Sequence, residues 1–247
     1  MNYLGHAFLS PADADILTGN MIADHVKGKR ALDAFPPGIK KGIELHRKID
    51  ARTDAHPATL RAKLLFRADY HLYAGPIMDT LYDHFLAGDP AFFPTENALL
   101  AFTQNIYTQL EKNQQYFPPG FAAYFPHMKE HNWLYNYRSI KGIERSLSGL
   151  ARRASYMPPI AKAYEIFIAG YYQLNQCYYE LIDDVNNYVK MNWPADATCS
   201  LTRKKWIHLQ KPEKNYAFYT FIYSHSRHIT VIHSLPFQLA ARATCPG

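Results

Sequence analysis

Residues 38–57 read GIKKGIELHRKIDARTDAHP. At about 100° per residue on a helix, Ile39, Ile43, His46 and Asp50 share one face, while Lys40, Lys41, Glu44, Arg47 and Lys48 share the other. The pattern predicts an amphipathic helix whose core side carries an imidazole and a carboxylate one turn apart. Buried polar groups are costly unless they are paired or bind a cation, so this pair requires a partner. Two readings stand open for it: a His–Asp hydrogen bond that braces the core, or part of a ligand set.

Outward from this helix the rest of the chain also reads as helical. Upstream, NYLGH at 2–6 precedes Ser10-Pro11, a cap and first-turn pair that predicts a helix over 11–27 with Leu17, Asn20, Met21 and Asp24 on one side. Asp33 and Pro36-Pro37 turn the chain into the central helix, and His56-Pro57 starts another that runs to about residue 67. Residues 68–111 contain no Lys or Arg but hold Asp69, Asp79, Asp83, Asp89, Glu96 and Glu111. A helix over 75–87 sets Ile77, Met78, Leu81, Tyr82 and Phe85 on a broad apolar face and leaves Asp79 and Asp83 one turn apart, with His84 following. Carboxylates at that spacing repel by a few tenths of a kcal/mol unless a cation is shared, so a cation site competes with a solvated acidic face.

Downstream, helices are expected over 95–116, 121–132, 133–153 and 159–189, the second rich in aromatics and the last long and packed with tyrosines. His127 and His131 lie one turn apart in the second. No alternating β-branched run bounded by turn residues occurs before residue 195, so no sheet is indicated there. The expectation is an all-α bundle of about seven or eight helices over 1–195. The extension over 196–247 is basic and aperiodic, with β-leaning runs at 218–223 and 229–232, and it reads as dispensable for chemistry.

The chain has 247 residues and is 48% hydrophobic, ample for a sizeable core. Its formal charge of +6 is held mostly by 196–247, where seven Lys and Arg face only Asp196 and Glu213. A uniformly basic binding domain does not produce that imbalance, so no nucleic-acid partner is expected. Basic residues do cluster between Lys27 and Arg52, which suits an acidic protein partner. Cys177, Cys199 and Cys245 include no CxxC pair, which argues against a thiolate zinc site or a disulfide framework. Without a long apolar run or a basic-then-apolar leader, neither a membrane association nor secretion is expected, and the cytoplasm is the expected compartment.

His6, Asp24, His46, Asp50, Asp79, Asp83 and His84 thus come from four segments of a helical domain. Imidazole and carboxylate without thiolate favour Mn²⁺, Mg²⁺ or Fe²⁺ over structural zinc, and such ions serve hydrolysis by acidifying water and neutralising phosphoryl charge. No GxxxxGK[ST], GxSxG or GxGxxG occurs, so nucleotide-cradle and serine-hydrolase chemistries lack their residues.

The stretches NYLGH at 2–6, GNMIADHVKG at 19–28, GIELHRKID at 42–50, TDAHP at 53–57 and DTLYDHFLA at 79–87 resemble the acyl carrier protein phosphodiesterases. The resemblance covers roughly residues 1–193, with departures at Ala23, His25 and His71-Leu72. It implies a helical fold distantly like the HD-type phosphohydrolases and a divalent ion, typically manganese. It also implies release of 4′-phosphopantetheine from holo acyl carrier protein. Carried over by position, it implies Asp24, His46 and Asp50 as catalytic residues. His6, Asp24, His46, Asp79, Asp83 and His84 follow as metal ligands, with the division between ligand and base open. Two other functions compete: an HD-like hydrolase of nucleotides or other small phosphoesters, and a helical interaction protein whose polar residues only brace the fold.

Overall fold

The computed structural model describes residues 1–193 except Ser155. The extension over 196–247, with its two β-leaning runs, lies outside the described residues. Those residues form no strand and divide into twelve α-helices joined by short 3₁₀ turns: α1 (Tyr3–Phe8), α2 (Ala14–Ile22), α3 (Lys29–Leu32), α4 (Pro37–Ala55), α5 (Pro57–Tyr70), α6 (Ala74–Ala87), α7 (Glu96–Glu111), α8 (Pro119–Glu130), α9 (Trp133–Asn136), α10 (Ile140–Arg153), α11 (Ile160–Ala169) and α12 (Tyr171–Asn192). The all-α expectation holds, and the larger helix number has local causes. The helix expected over 133–153 is split because the Ser139 side chain accepts from Gly142 N and restarts the chain as α10. The one expected over 159–189 is split at Gly170, which ends α11 and begins α12. The first long helix stops at Ile22 and continues as a single 3₁₀ turn, Ala23–His25, which carries Asp24 outward.

The central helix α4 begins at Pro37, where a missing N–H costs nothing, and buries Ile39, Ile43, Leu45 and Ile49 completely. Each such side chain contributes about 1.5–3 kcal/mol of transfer free energy. Its most extensive partner is α2, and the crossing is made by two glycines. A Cβ on Gly19 would lie 2.0 Å from Ile39 O, and one on Gly42 would lie 2.1 Å from Ile16 O. No side chain fits between backbones at that separation, so glycine at both positions lets α2 and α4 touch directly. This contact sets Asn20 of α2 against His46 of α4, with Nδ1 of the imidazole 2.8 Å from Asn20 O. The apolar faces of α5, α6 and α12 then close the core around Phe66, Tyr82 and Tyr178.

Candidate metal centre

Four elements supply the centre. Helix α1 presents His6, α2 presents Asn20, the following 3₁₀ turn presents Asp24, and α4 presents His46 and Asp50 one turn apart. The two imidazoles stack with ring centroids 3.9 Å apart and planes inclined by 13°. One nitrogen of each ring and an Asp50 oxygen all lie within 4.8 Å of one another. The site opens at the surface through its carboxylates: the Asp24 side chain is 69% exposed and that of Asp50 37%, whereas both histidines are buried.

The hydrogen bonds fix the tautomers. Asn20 Nδ2 donates to His6 O and to Ser10 Oγ, both at 2.9 Å, so Asn20 Oδ1 is the acceptor for His6 Nδ1 at 2.9 Å. His46 Nδ1 likewise donates to the Asn20 carbonyl. With both Nδ1 atoms so committed, each Nε2 is the remaining position, and each faces only acceptors. His6 Nε2 lies 3.1 Å from Asp50 Oδ1 and 3.1 Å from Met1 O. His46 Nε2 lies 3.1 Å from Asp50 Oδ2 and 3.2 Å from Asp24 Oδ1. A lone pair pointed at a carboxylate is repulsive unless a proton or a cation stands between them.

A proton serves only one of the two rings. Burial works against a charged His46, but its bonds to Asp24 and Asp50 outweigh that and hold its pKa up at about 9. Burial depresses the pKa of His6, and the charge of the stacked His46 depresses it further. Asp50 is held well below the usual carboxylate range, its burial outweighed by the bond from His46 and the nearby Met1 amino charge, and the bond from His46 lowers Asp24 also. The donor set therefore fits a divalent cation, which would satisfy both Nε2 lone pairs and neutralise two carboxylates. A histidine whose other nitrogen donates to a carbonyl or amide oxygen is the usual supporting arrangement for a metal-ligating ring. Replacing Asn20 by alanine is expected to lower Mn²⁺ affinity about 10–100-fold, measured by titration calorimetry; unchanged affinity would show that Asn20 does not orient the rings.

The other residues singled out in the sequence occupy different positions. Asp79 of α6 borders the centre, its Oδ1 receiving the Met1 amino group at 2.9 Å, and the same group lies 3.5 Å from Asp50 Oδ1. Burial opposes that amino charge, but Asp79 and Asp50 hold its pKa at about 10. Asp83 is completely buried and accepts three backbone N–H groups from the start of α1: Asn2 at 3.2 Å, Leu4 at 2.7 Å and Gly5 at 3.0 Å. Burial pushes its pKa up to about 7, with the Met1 charge and the three donors pulling the other way. Asp83 thus anchors α1 and, through it, His6. His84 lies apart from the centre: Nδ1 donates to Tyr137 O at 2.8 Å, and Nε2 lies 3.1 Å from the Tyr171 hydroxyl. A second His and Glu group, His127, Glu130 and His131, is solvent-exposed around the end of α8. Sequence reading passed over Asn20 as an organiser, although its place between Gly19 and the apolar Met21 was the available signal. It also passed over the chain that runs from His25 Nε2 to the Tyr124 hydroxyl at 2.6 Å and on to the Tyr3 hydroxyl.

Burial holds the His84 pKa down at about 4, against an ordinary 6.5. The unfolded chain then binds a proton more readily than the folded one. The stabilisation from a neutral His84 is complete above pH 6.5 and is lost as pH falls through about 4, a loss on the order of 3 kcal/mol. Urea midpoints measured between pH 7 and 4.5 should fall less steeply in His84→Gln than in the parent; parallel slopes would contradict the assignment.

The model of the family described as acyl carrier protein phosphodiesterase matches residues 1–185. The chain belongs to this family. Relatives that carry the same name include proteins of Salmonella paratyphi A, 33% identical over 62% of this chain and 79% of theirs, and of Photorhabdus laumondii, 30% identical over 67% of this chain and 83% of theirs. That of Yersinia pestis is 30% identical over 74% of this chain and 91% of its own. No solved structure matches. The family, one of phosphoric diester hydrolases, spans every helix that contributes to the centre. Among the described residues no helix is long and apolar enough to cross a membrane.

Proposed function

We propose that this member of the family is a divalent-metal-dependent phosphodiesterase that releases 4′-phosphopantetheine from holo acyl carrier protein, with Mn²⁺ preferred and Mg²⁺ or Fe²⁺ able to replace it. The observation that carries this reading is the convergence of two imidazole Nε2 atoms on acidic oxygens at an open surface. His6, His46 and Asp50 would hold the ion, with Asp24 and Asp79 at its border. When bound, such an ion neutralises charge on a phosphoryl oxygen and acidifies water at neutral pH.

The remaining contributions belong to the chain. Asn20 fixes both tautomers and keeps both Nε2 atoms turned to the opening. Asp24 stays ionised across neutral pH because His46 lowers its pKa. Its Oδ1 is engaged by His46, and among the described residues nothing donates to its other oxygen, so it can orient a water and accept its proton as that water attacks phosphorus. The bond from phosphorus to the carrier serine oxygen then breaks, the serine oxygen takes up a proton from solvent, and the phosphate stays on the arm. Asp83 contributes indirectly by holding α1 in register.

The test offers holo carrier protein and a set of nucleotide phosphoesters separately to the protein with Mn²⁺, and follows products by mass spectrometry. The expected result is a carrier lighter by the mass of the arm, with the phosphate on the released fragment. Activity confined to nucleotides would replace the carrier reading. A protein that bound no divalent ion would reduce the centre to a brace for the core.

A further inference from the structure

Three of the exposed large apolar side chains belong to α5 and the turn that follows it. Leu60 is 54% exposed and Leu64 62%, one turn apart on α5, and Leu72, in the 3₁₀ turn that follows, is 92% exposed. The buried line of α5 is Ala58, Thr59, Ala62, Phe66 and Tyr70, so its packing against the core is already complete without these leucines. Exposed apolar groups gathered on one strip mark an interaction surface, whereas scattered ones do not.

Charge and position say what the strip fits. Lys63 and Arg67 lie one turn apart along its flank. No carboxylate of the described residues pairs with Arg67, while Arg61 on the opposite flank is held by Glu180 at 2.5 Å. Residues 57–72 carry Arg61, Lys63 and Arg67 against Asp69 alone. Lys63 also ties the strip to the rim of the centre: its Nζ lies 2.7 Å from Asp54, one turn beyond Asp50, and its Cε is the nearest atom to a Cβ built on Gly75, one turn before Asp79. One turn of helix is about 5.4 Å, within the reach of a flexible prosthetic arm. The basic surface expected between Lys27 and Arg52 is placed differently. Lys41, Arg47 and Lys48 are exposed on the side of α4 away from His46 and Asp50, and Arg52 is bonded through two nitrogens to Asp184 at 2.7 Å.

We infer that the strip formed by Leu60, Leu64 and Leu72 with Lys63 and Arg67 is the docking surface for the substrate carrier protein, and that it takes an acidic amphipathic helix. The apolar side of that helix lies on the leucines and its carboxylates face Arg67, while Lys63 stays paired with Asp54 and marks the rim across which the attached phosphodiester is delivered to the centre. The inference rests on the function proposed above. Contacts of this kind act through an apolar patch for affinity and through exposed charge for encounter rate and salt dependence.

The experiment compares steady-state hydrolysis of holo carrier by the parent protein, Leu64→Glu, Arg67→Glu and the control Lys41→Glu, with thermal melts confirming that each is folded. Titration calorimetry with the carrier lacking its arm measures docking without chemistry. Leu64→Glu and Arg67→Glu should each raise KM and the dissociation constant about tenfold or more while kcat stays within about twofold. Lys41→Glu should change neither, and Arg67→Glu should flatten the rise of KM with salt. Unchanged KM and binding in both strip variants, or a larger effect at Lys41→Glu, would overturn the assignment. A parent protein that hydrolyses no carrier at all would instead overturn the function proposed above.

Discussion

Alanine at Asp50 is expected to lower turnover of holo carrier protein by about 10³-fold or more, equivalent to about 4 kcal/mol of transition-state stabilisation. Asp50 supplies one oxygen to each imidazole of the centre, Oδ1 to His6 and Oδ2 to His46, so its removal takes away the single group that both rings share. The Met1 amino group, 3.5 Å from the same carboxylate, loses one of its two anionic neighbours as well. Loss should appear in kcat and in metal affinity together, and the thermal stabilisation that added Mn²⁺ gives the parent should be absent from the variant. Asp24→Ala should lower kcat by a similar order while retaining the metal-induced stabilisation, because Asp24 touches His46 alone and stands at the open edge. Turnover near the parent value in both variants would remove this cluster from the chemistry.

Alanine at Gly19 or Gly42 is expected to cost about 3 kcal/mol or more of stability, seen as a large fall in the urea midpoint. The added Cβ would stand about 2 Å from a backbone carbonyl oxygen of the facing helix in either case, and backbone cannot swing aside as a side chain can. Relief requires α2 and α4 to move apart, which would also stretch the 2.8 Å bond between His46 Nδ1 and Asn20 O. Metal affinity should therefore fall with stability. Gly149→Ala, where the nearest atoms are the flexible ends of Arg152 and Arg153, should be neutral or slightly stabilising. A Gly19→Ala protein within about 1 kcal/mol of the parent would show that the two helices do not meet backbone to backbone.

The sequence made the His46 and Asp50 pair legible because helical periodicity sets both among isoleucines, and one helix determines their spacing. The union of that pair with His6 and Asp24 depends on the approach of α2 to α4, which is decided by the absence of side chains at Gly19 and Gly42. An absent side chain gives no periodic signal. The neighbours Asp83 and His84 show the converse: adjacent positions on a helix point about 100° apart. One of them accordingly reaches the backbone of α1, and the other reaches Tyr137 and Tyr171. Helix type was legible for the long helices, but not for the short α1 and α3, and α2 starts at Ala14 because the Asp13 side chain, not Ser10, caps it; the breaks at Ser139 and Gly170 were hidden because apolar periodicity continues across them. Exposure is also invisible to periodicity, so the exposed leucines of α5 gave no signal in the sequence.

The central claim is that both imidazoles of the stacked pair ligate one divalent ion through Nε2. Pulsed electron paramagnetic resonance of the protein loaded with one equivalent of Mn²⁺ tests it directly, because nitrogen bonded to manganese modulates the electron spin echo. The parent should show couplings from two imidazole nitrogens, His6→Gln and His46→Gln should each show one, and His84→Gln should retain both. Manganese bound without nitrogen coupling in the parent, or couplings that survive in both His6→Gln and His46→Gln, would contradict the account.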